Sequence, residues 1–210
     1  MSKKKIAIQG ELGAYSHIAA ENLYKDSEIK TCTTFEETFK QAYNDPSYKI
    51  VIPIENSLAG RVADIHYLLP KYKLQIHGEH FQAVEHNLLC KPDATISDIK
   101  FVRSHAQAIG QCQNLITKKK FKPIISADTA GSAKDLAEGK DKTIAAIASE
   151  LSAKIYNLKI LEKNIEDEKG NVTRFLIMGK NIEQPEFKEE KKFITSCIFR
   201  VKSEPSALYK

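Results

Sequence analysis

Short apolar runs alternate with helical periodicities along the chain as far as residue 178. The short runs predict β-strands, because they are rich in β-branched residues and end at glycine or polar residues. Segments in which apolar residues recur every three or four positions predict amphipathic helices. The predicted strands cover residues 6–9, 31–33, 49–54, 100–103, 122–126, 143–147 and 172–178, and the predicted helices cover residues 15–23, 35–43, 107–117, 129–138 and 149–156.

A long extended stretch at residues 74–89 interrupts this alternation. It predicts that the chain leaves a first α/β unit, builds a second one and then returns. Strands that alternate with helices form sheets whose strand ends face a ligand crevice. We therefore expect an α/β fold with two α/β lobes and a cleft between them. Lobe one is predicted at about residues 1–76 plus 174–180, and lobe two at about residues 77–173.

Two further expectations concern motion and the end of the chain. A site shared by two lobes closes by hinge motion, and we expect hinges near residues 75–78 and 171–175. The polar residues 181–192 predict a linker. A new apolar run begins at residue 193, and a strand with part of a helix cannot bury its own apolar face. We therefore expect residues 193–210 to be the start of a further domain that continues beyond Lys210.

Composition favours an enzyme of the cytoplasm over other classes. Apolar residues make up 42% of the chain, which is enough for a core, and no signal peptide or membrane span is recognisable. A net charge of +5 with dispersed lysines and no tryptophan does not favour nucleic-acid binding, but it is compatible with an anionic small ligand. Widely spaced cysteines predict buried, reduced thiols at Cys32, Cys90, Cys112 and Cys197.

Five clusters of glycine and polar residues lie at the ends of predicted elements, and each one has a structural interpretation. The glycines at residues 10–16 fit a tight turn, although free N–H groups at a helix start also attract anions. Asn56 or Ser57 fits a helix cap as well as a ligand site. Ser104 and Gln107 fit a capping box, but that box does not explain Gln111 on the same helix face.

The last two clusters also have two interpretations. Asp128 or Thr129 fits a helix cap, and the small hydroxylated residues around them offer donors for a carboxylate. Arg174 fits an ion pair with Glu166 or Asp167, or a clamp on a substrate carboxylate. The histidines of the chain, His17, His77, His80 and His86 among them, lack the spacing of a metal site, and packing or surface positions are expected for them.

Taken in order, the five clusters resemble the prephenate dehydratase family over roughly residues 5–180. They read Gly-x-x-Gly-x-Tyr-Ser at 10–16, Pro-Ile-Glu-Asn-Ser at 53–57, Ser-His-x-Gln-Ala-x-x-Gln-Cys at 104–112, Thr-Ala-Gly-Ser-Ala at 129–133 and Asn-Val-Thr-Arg-Phe at 171–175. The tail from residue 193 resembles the start of the regulatory ACT domain that follows in this family, with Ser206 in place of a glycine.

The resemblance implies a fold like type 2 periplasmic binding proteins and prephenate as substrate, converted to phenylpyruvate. It implies L-phenylalanine as the allosteric effector of the full-length form, a homodimer or homotetramer, and neither cofactor nor metal. Thr173 is implied as the catalytic hydroxyl, with Glu55 or a water as proton relay. The residues implied to bind substrate are Asn56, Ser57, Ser104, Gln107, Gln111, Thr129, Arg174 and Phe175.

Two alternatives stay open at the level of sequence. One is an arogenate dehydratase, which acts on the amino-acid counterpart of prephenate. The other is a two-lobed protein that binds a small molecule without chemistry, because the same architecture serves both purposes.

Overall fold

The computed structural model of the protein describes residues 3–181, 188–190, 192, 201 and 204. In chain order its elements are β1 (Lys5–Gln9), α1 (Tyr15–Leu23), β2 (Glu28–Cys32), α2 (Phe35–Asn44), β3 (Tyr48–Asn56), β4 (Gly60–Arg61), α3 (Ala63–Tyr72), β5 (Gln75–Ala83), β6 (Asn87–Cys90), β7 (Phe101–His105), α4 (Ala106–Gly110), α5 (Gln113–Lys119), β8 (Lys122–Ser126), α6 (Thr129–Glu138), β9 (Ile144–Ala148), α7 (Glu150–Ile155), β10 (Lys159–Glu162) and β11 (Val172–Gly179). The strands form two separate sheets, which confirms the prediction of an α/β fold with two lobes.

The first sheet carries a hydrophobic core on each of its faces. Its strand order is β2-β1-β3-β11-β5, with β4 paired to β3. Strand β1 runs parallel to β2 and β3, whereas β11 runs antiparallel to β3 and β5. Successive residues of a strand point to opposite faces, so Ile50 and Ile52 pack with residues of α2 and α3, while Val51 packs with residues of α1. This burial on both faces explains why β3 is a continuous apolar run.

The second sheet is built in the same way around its own core. Its strand order is β10-β6-β9-β7-β8, with β7 parallel to β8 and β9, and β6 antiparallel to β9 and β10. Leu88 and Ile147 pack on the face that α4 and α5 cover. Leu89 and Ala148 pack on the opposite face with residues of α6 and α7. Each lobe therefore buries apolar residues on both faces of its sheet.

The chain crosses between the lobes after β5 and again before β11. Strand β5 pairs with β11 along its whole length, from Gln75 opposite Gly179 to Ala83 opposite Val172. The lobe boundaries expected at residues 76–77 and 173–174, and the hinge expected at 75–78, therefore fall inside paired strands of the first sheet. The sequence of an extended run does not show where its pairing ends when the partner strand is distant in sequence.

Besides the two-residue strand β4, two elements have no counterpart among the predicted ones, α3 and β10. Helix α3 contains Pro70 in its interior, and proline is a signal that normally ends a helix. The helix nevertheless buries Ile65 and Leu68 against the first sheet. Strand β10 is four residues long and pairs only with β6 at the edge of the second sheet. Tertiary contacts therefore stabilise both elements more than their local sequence does.

The helix predicted at residues 107–117 is two helices, which meet at Gln111 and Cys112. The reason lies in a distant side chain. The carboxylate of Asp167 accepts hydrogen bonds from the N–H groups of Gln113 (2.8 Å) and Asn114 (3.0 Å), and so caps the start of α5. The N–H of Asp167 in turn donates to the carbonyl oxygen of Gln111 at 2.7 Å. The expectation of Gln107 and Gln111 on one continuous helix is therefore replaced by a break at Gln111.

The loop between β1 and α1 joins the two lobes. The carbonyl oxygen of Gly13 accepts hydrogen bonds from the hydroxyls of Ser149 (2.6 Å) and Ser152 (3.1 Å), which lie at the start of α7. The Tyr156 hydroxyl donates to the carbonyl oxygen of Leu12 at 3.0 Å. Gly13 has a φ of +92°, and a Cβ atom there would lie 2.8 Å from the Cα of Ser152. The lobes thus approach each other more closely at Gly13 than a side chain would permit.

Substitution Gly13→Ala is expected to lower the free energy of unfolding by about 2–5 kcal/mol. The left-handed backbone contributes about 1–2 kcal/mol and the collision with Ser152 about 1–3 kcal/mol. The matched control is Gly60→Ala, since Gly60 has a φ of +80° and open space around its Cα. That variant should show the backbone cost alone. Urea unfolding of both variants measures the difference, and equal losses would show that Ser152 does not restrict Gly13.

Three of the four cysteines lie in the described part of the chain and match their prediction. Cys32, Cys90 and Cys112 are buried and free. Burial, followed by the carboxylates of Asp167 and Glu166, raises the pKa of Cys112 to about 12, so it stays a thiol. Cys197 lies outside the described residues, as do residues 182–187 and 191 of the predicted linker and nearly all of the predicted further domain. No described helix is both long and apolar enough to cross a lipid bilayer.

Candidate active site

A cavity of about 460 Å³ lies where the two lobes meet, a size that suits a small-molecule ligand. Its walls come from the β1–α1 loop, the β3–β4 hairpin, β11 and the starts of α4 and α6. The polar residues that line it are Gln9, Tyr15, Ser16, Asn56, Arg61, His86, His105, Gln107, Gln111, Asp128, Thr129, Asn171 and Thr173. Residues on both sides of the crossing points thus contribute to one site.

Asn56 holds the hydroxyl of Thr173 in the cavity. The side-chain oxygen of Asn56 accepts hydrogen bonds from the N–H groups of Leu58 (3.0 Å) and Ala59 (2.9 Å), which shapes the turn after β3. Its Nδ2 donates to the Oγ1 of Thr173 at 2.9 Å. The Thr173 oxygen is therefore an acceptor, and no described residue accepts the hydrogen of its hydroxyl. That hydrogen is available to a ligand.

Asn171, Gln111 and His86 continue the polar network. The Nδ2 of Asn56 also donates to the Oδ1 of Asn171 at 2.6 Å. Asn171 donates through its own Nδ2 to the Oε1 of Gln111 at 3.1 Å. The same Oε1 lies 2.9 Å from the Nε2 of His86. One connected set of hydrogen bonds therefore links the turn after β3 to a histidine at the crossing between the lobes.

Tyr15 completes this network from the start of α1. Its hydroxyl lies 2.7 Å from the carbonyl oxygen of Glu85 and 3.0 Å from the Nδ1 of His86. Burial raises the pKa of Tyr15 well above its ordinary value, and burial lowers the pKa of His86. Both side chains are therefore uncharged near neutral pH, because a low-dielectric surrounding disfavours the charged form.

The starts of two helices line the cavity. Ala14, Tyr15 and Ser16 line it at the start of α1, and Asp128 and Thr129 line it at the start of α6. The first N–H groups of a helix have no acceptor within the helix, so they bind anions. Asp128 caps α6, because its carboxylate accepts from the N–H of Gly131, as one sequence interpretation proposed.

Arg174 and Glu55 lie on the face of the sheet that points away from the cavity. The register pairs Thr173 with Asn56 and Arg174 with Glu55, so the first pair faces the cavity and the second pair does not. Neither Arg174 nor Glu55 lines the cavity. The expected carboxylate clamp by Arg174 and the proton relay through Glu55 thus lack the placement that they require.

The ion pair of Arg174 also differs from the expected one. Its guanidinium binds the Oε2 of Glu79 through Nη2 (2.6 Å) and Nε (2.7 Å). The two expected partners are used elsewhere, since Glu166 accepts from the N–H of His86 and Asp167 caps α5. The pairing with Glu166 or Asp167 was therefore wrong. Arg174 lies within β11, which is paired on both edges with β3 and β5. It therefore does not meet the turn residues before that strand, although they are close in sequence.

Ser104 and Ser57 also lie outside the cavity. Ser104 is fully buried in β7, and its hydroxyl donates to the carbonyl oxygen of Ile147 at 2.7 Å. The N-cap of α4 is His105, whose Nδ1 accepts from the N–H of Gln107, so the expected capping box with Ser104 does not form. The hydroxyl of Ser57 accepts from the N–H of Val172 at 2.9 Å, which joins the turn after β3 to β11.

The other expected residues are brought together. Thr173, Asn56, Gln107, Gln111, Thr129 and Phe175 all line the one cavity, although their sequence positions span both crossings. Arg61 is the one lysine or arginine among the lining residues of the described chain, and it sits at the rim, across from Glu55 in the β3–β4 pairing.

The sequence interpretation missed His86, Asn171 and Arg61, and it treated Tyr15 only as part of a turn. A buried histidine in an extended run carries no local sign of its hydrogen-bond partners. Asn171 had a usable signal, because an asparagine directly before the strand of Thr173 must lie at the same strand end. The hairpin that carries Arg61 was not predicted at all.

Comparison with known proteins identifies relatives over nearly the whole chain. Residues 6–183 match the family model for prephenate dehydratase. The chain is 39% identical, over 98% of its length and 73% of the relative, to a bifunctional N-acyl-homoserine lactone acylase/prephenate dehydratase from Komagataeibacter europaeus. It is also 39% identical, over its full length, to arogenate dehydratase/prephenate dehydratase 2 of Arabidopsis thaliana, of which it spans about half, 54%.

A solved structure agrees with these matches. The crystal structure of prephenate dehydratase from Arthrobacter aurescens in complex with L-Phe superposes with a TM-score of 0.80 at 25% identity. The match covers 88% of this chain and 63% of that one. The family model, the curated relatives and the fold thus lead to one conclusion: the chain belongs to the prephenate dehydratase family.

Proposed function

We propose that this protein converts prephenate to phenylpyruvate, with loss of water and carbon dioxide. The observation that carries the proposal is the pair of hydrogen-bond donors in the cavity. The Thr173 oxygen and the Gln111 Oε1 both accept from neighbouring amides, which leaves the Thr173 hydroxyl hydrogen and the Gln111 Nε2 hydrogens free for a ligand in the cavity. A dehydratase needs such donors where a hydroxide departs.

The reaction gains its driving force from the substrate and needs help with one bond. Loss of the ring hydroxyl and of the ring carboxylate makes the ring aromatic. The electron pair of the broken carbon–carbon bond enters the ring as carbon dioxide leaves, and the hydroxide takes up one proton to leave as water. A hydroxide is a poor leaving group, so a donor at its oxygen lowers the barrier.

Thr173 is the residue that we assign to the departing oxygen. A threonine hydroxyl is a weak acid, but it becomes a better donor when its own oxygen accepts a hydrogen bond. The amide of Asn56 supplies that bond at 2.9 Å. The proton itself then comes from water, since Glu55 is exposed and does not line the cavity.

The two substrate carboxylates match the two helix starts in the cavity. The start of α1 belongs to lobe one and the start of α6 belongs to lobe two. One carboxylate on each would hold the substrate across the cleft and draw the lobes together. Thr129 adds a hydroxyl at the start of α6.

The balance of donors and acceptors favours prephenate over arogenate. Asp128 is the one carboxylate among the described lining residues, and it accepts from the N–H of Gly131. The keto group of prephenate accepts hydrogen bonds, whereas the ammonium group of arogenate only donates them. A cavity rich in donors therefore suits the keto acid better.

The test is turnover of both substrates by the purified protein. We expect kcat/KM for phenylpyruvate formation from prephenate to exceed that for phenylalanine formation from arogenate, with a blank without protein to subtract spontaneous decay. The reverse order would make the protein an arogenate dehydratase. Tight binding of prephenate without product would make it a binding protein.

We also propose L-phenylalanine as an allosteric effector of a form that carries the regulatory domain. The Arthrobacter aurescens relative was solved in complex with L-Phe. In this chain the segment that resembles the start of an ACT domain, residues 193–210, lies almost entirely outside the described residues.

A further inference from the structure

We infer that His86 is a positioning residue for the reaction proposed above. With a hydrogen on Nε2, its imidazole fixes Gln111 so that the amide nitrogen of Gln111 faces the cavity. The inference rests on the proposed function, because Gln111 would bind substrate oxygens. The orientation of the two side chains can nevertheless be tested without turnover.

Two backbone groups set the direction of the hydrogen bonds at the far end of the network. The N–H groups of Leu58 and Ala59 can only donate, so the Asn56 atom that meets them is Oδ1. The Nδ2 of Asn56 therefore points to Asn171, whose facing atom must be Oδ1. Asn171 then presents Nδ2 to Gln111, whose facing atom must be Oε1.

The same direction determines the tautomer of His86. Its Nε2 lies 2.9 Å from the Oε1 of Gln111, and an amide oxygen cannot donate, so Nε2 must carry a hydrogen. Nδ1 is then left without a hydrogen, 3.0 Å from the Tyr15 hydroxyl, whose single hydrogen can be accepted by Nδ1 or by the carbonyl oxygen of Glu85 at 2.7 Å. The Gln111 oxygen now accepts two hydrogen bonds, which occupies its lone pairs. The Gln111 nitrogen has no acceptor among the described residues and belongs to a side chain that lines the cavity.

The backbone holds the imidazole in this place. His86 is only 2% exposed. Its N–H donates to the carboxylate of Glu166 at 3.0 Å, and its carbonyl oxygen accepts from the N–H of Ile165 at 2.9 Å. Its ring bonds Tyr15 of lobe one and Gln111 of lobe two. A histidine that only filled space in a core would not need both ring nitrogens bonded to residues that line the cavity.

The first test reads the tautomer directly. In protein labelled with nitrogen-15 histidine, the long-range proton–nitrogen NMR spectrum should show His86 with a protonated Nε2 and a bare Nδ1. A hydrogen on Nδ1 alone would overturn the inference, because Gln111 would then have to present its nitrogen to His86 and its oxygen to the cavity.

The second test compares two substitutions of similar polarity. In His86→Gln the longer side chain can place an amide N–H where Nε2 lies, whereas in His86→Asn the amide reaches only the position of Nδ1. We expect His86→Gln to keep kcat within a few fold. His86→Asn should lower kcat on the order of 10-fold to 100-fold, as the loss of one buried hydrogen bond predicts.

Thermal unfolding of both variants separates positioning from folding. If His86 had only a structural role, kcat would fall together with the unfolding temperature in both variants. Equal kcat values in the two variants would therefore overturn the inference. If the wild-type protein turns over neither substrate, the proposed function fails while the NMR result still decides the tautomer. If the wild type is active and the variants do not fold, the NMR result alone decides.

Discussion

Replacement of Thr173 by valine is expected to lower kcat for prephenate by about 10²-fold to 10³-fold, the usual effect of removing a hydrogen-bond donor at a developing charge. Valine has nearly the volume of threonine and carries a methyl group in place of the hydroxyl. KM should change far less, because the helix starts that we assign to the substrate carboxylates remain intact. Steady-state formation of phenylpyruvate measures both constants.

The matched control is Thr173→Ser, which returns the hydroxyl without the methyl group. It should recover most of the lost kcat, and urea unfolding should show that both variants fold. A valine variant with near-normal kcat would remove the Thr173 hydroxyl from the mechanism.

The second large effect is expected from Asn56→Asp, which replaces the amide nitrogen by an oxygen and keeps the shape of the side chain. The new carboxylate can still accept from the N–H groups of Leu58 and Ala59, so the turn after β3 survives. Its second oxygen meets the Thr173 hydroxyl, which now donates to it and no longer to the substrate. We expect kcat to fall by about 10²-fold to 10³-fold, as for a lost donor at a developing charge. KM should rise, since the added charge repels the substrate carboxylates.

Ser57→Ala is the control for this substitution. Ser57 is the next residue along the same turn, but it is exposed and does not line the cavity. Its kcat and KM should stay within a few fold of the wild-type values. Normal turnover by Asn56→Asp would show that catalysis does not depend on the direction of the Thr173 hydroxyl.

Part of the site could be predicted from the sequence, and one error was avoidable at that level. Polar residues after the carboxyl ends of predicted strands indicated Asn56 and Thr129 as neighbours of a crevice, and the family resemblance added Thr173 at the start of the strand predicted at 172–178. The same strand prediction implies that Thr173 and Arg174 point to opposite faces, because side chains alternate along a strand. That alternation alone is enough to place Arg174 on the face opposite to the Thr173 hydroxyl, away from the cavity.

The hydrogen-bond network around Gln111 and His86 could not be predicted from the sequence. Gln111 was grouped with Gln107 by helical spacing, yet it lies at a break between two helices. The break exists because Asp167, far along the chain, caps α5. The partners of His86 likewise come from three separate segments. Such contacts depend on how the lobes pack, and a local pattern contains no information about them.

By itself the sequence determined the parts of this protein that follow from local periodicity. Strands β1, β3 and β11 and helices α1, α2 and α6 lie within about two residues of their predicted bounds, because burial of an apolar face demands a period of 2 or 3.6 residues wherever the element sits. Only the tertiary structure decided the pairing of β5 with β11, the break between α4 and α5 at Gln111, and which face of the first sheet lines the cavity. These features arise from contacts between segments that are distant in sequence, whose free energy is gained only when the tertiary structure forms.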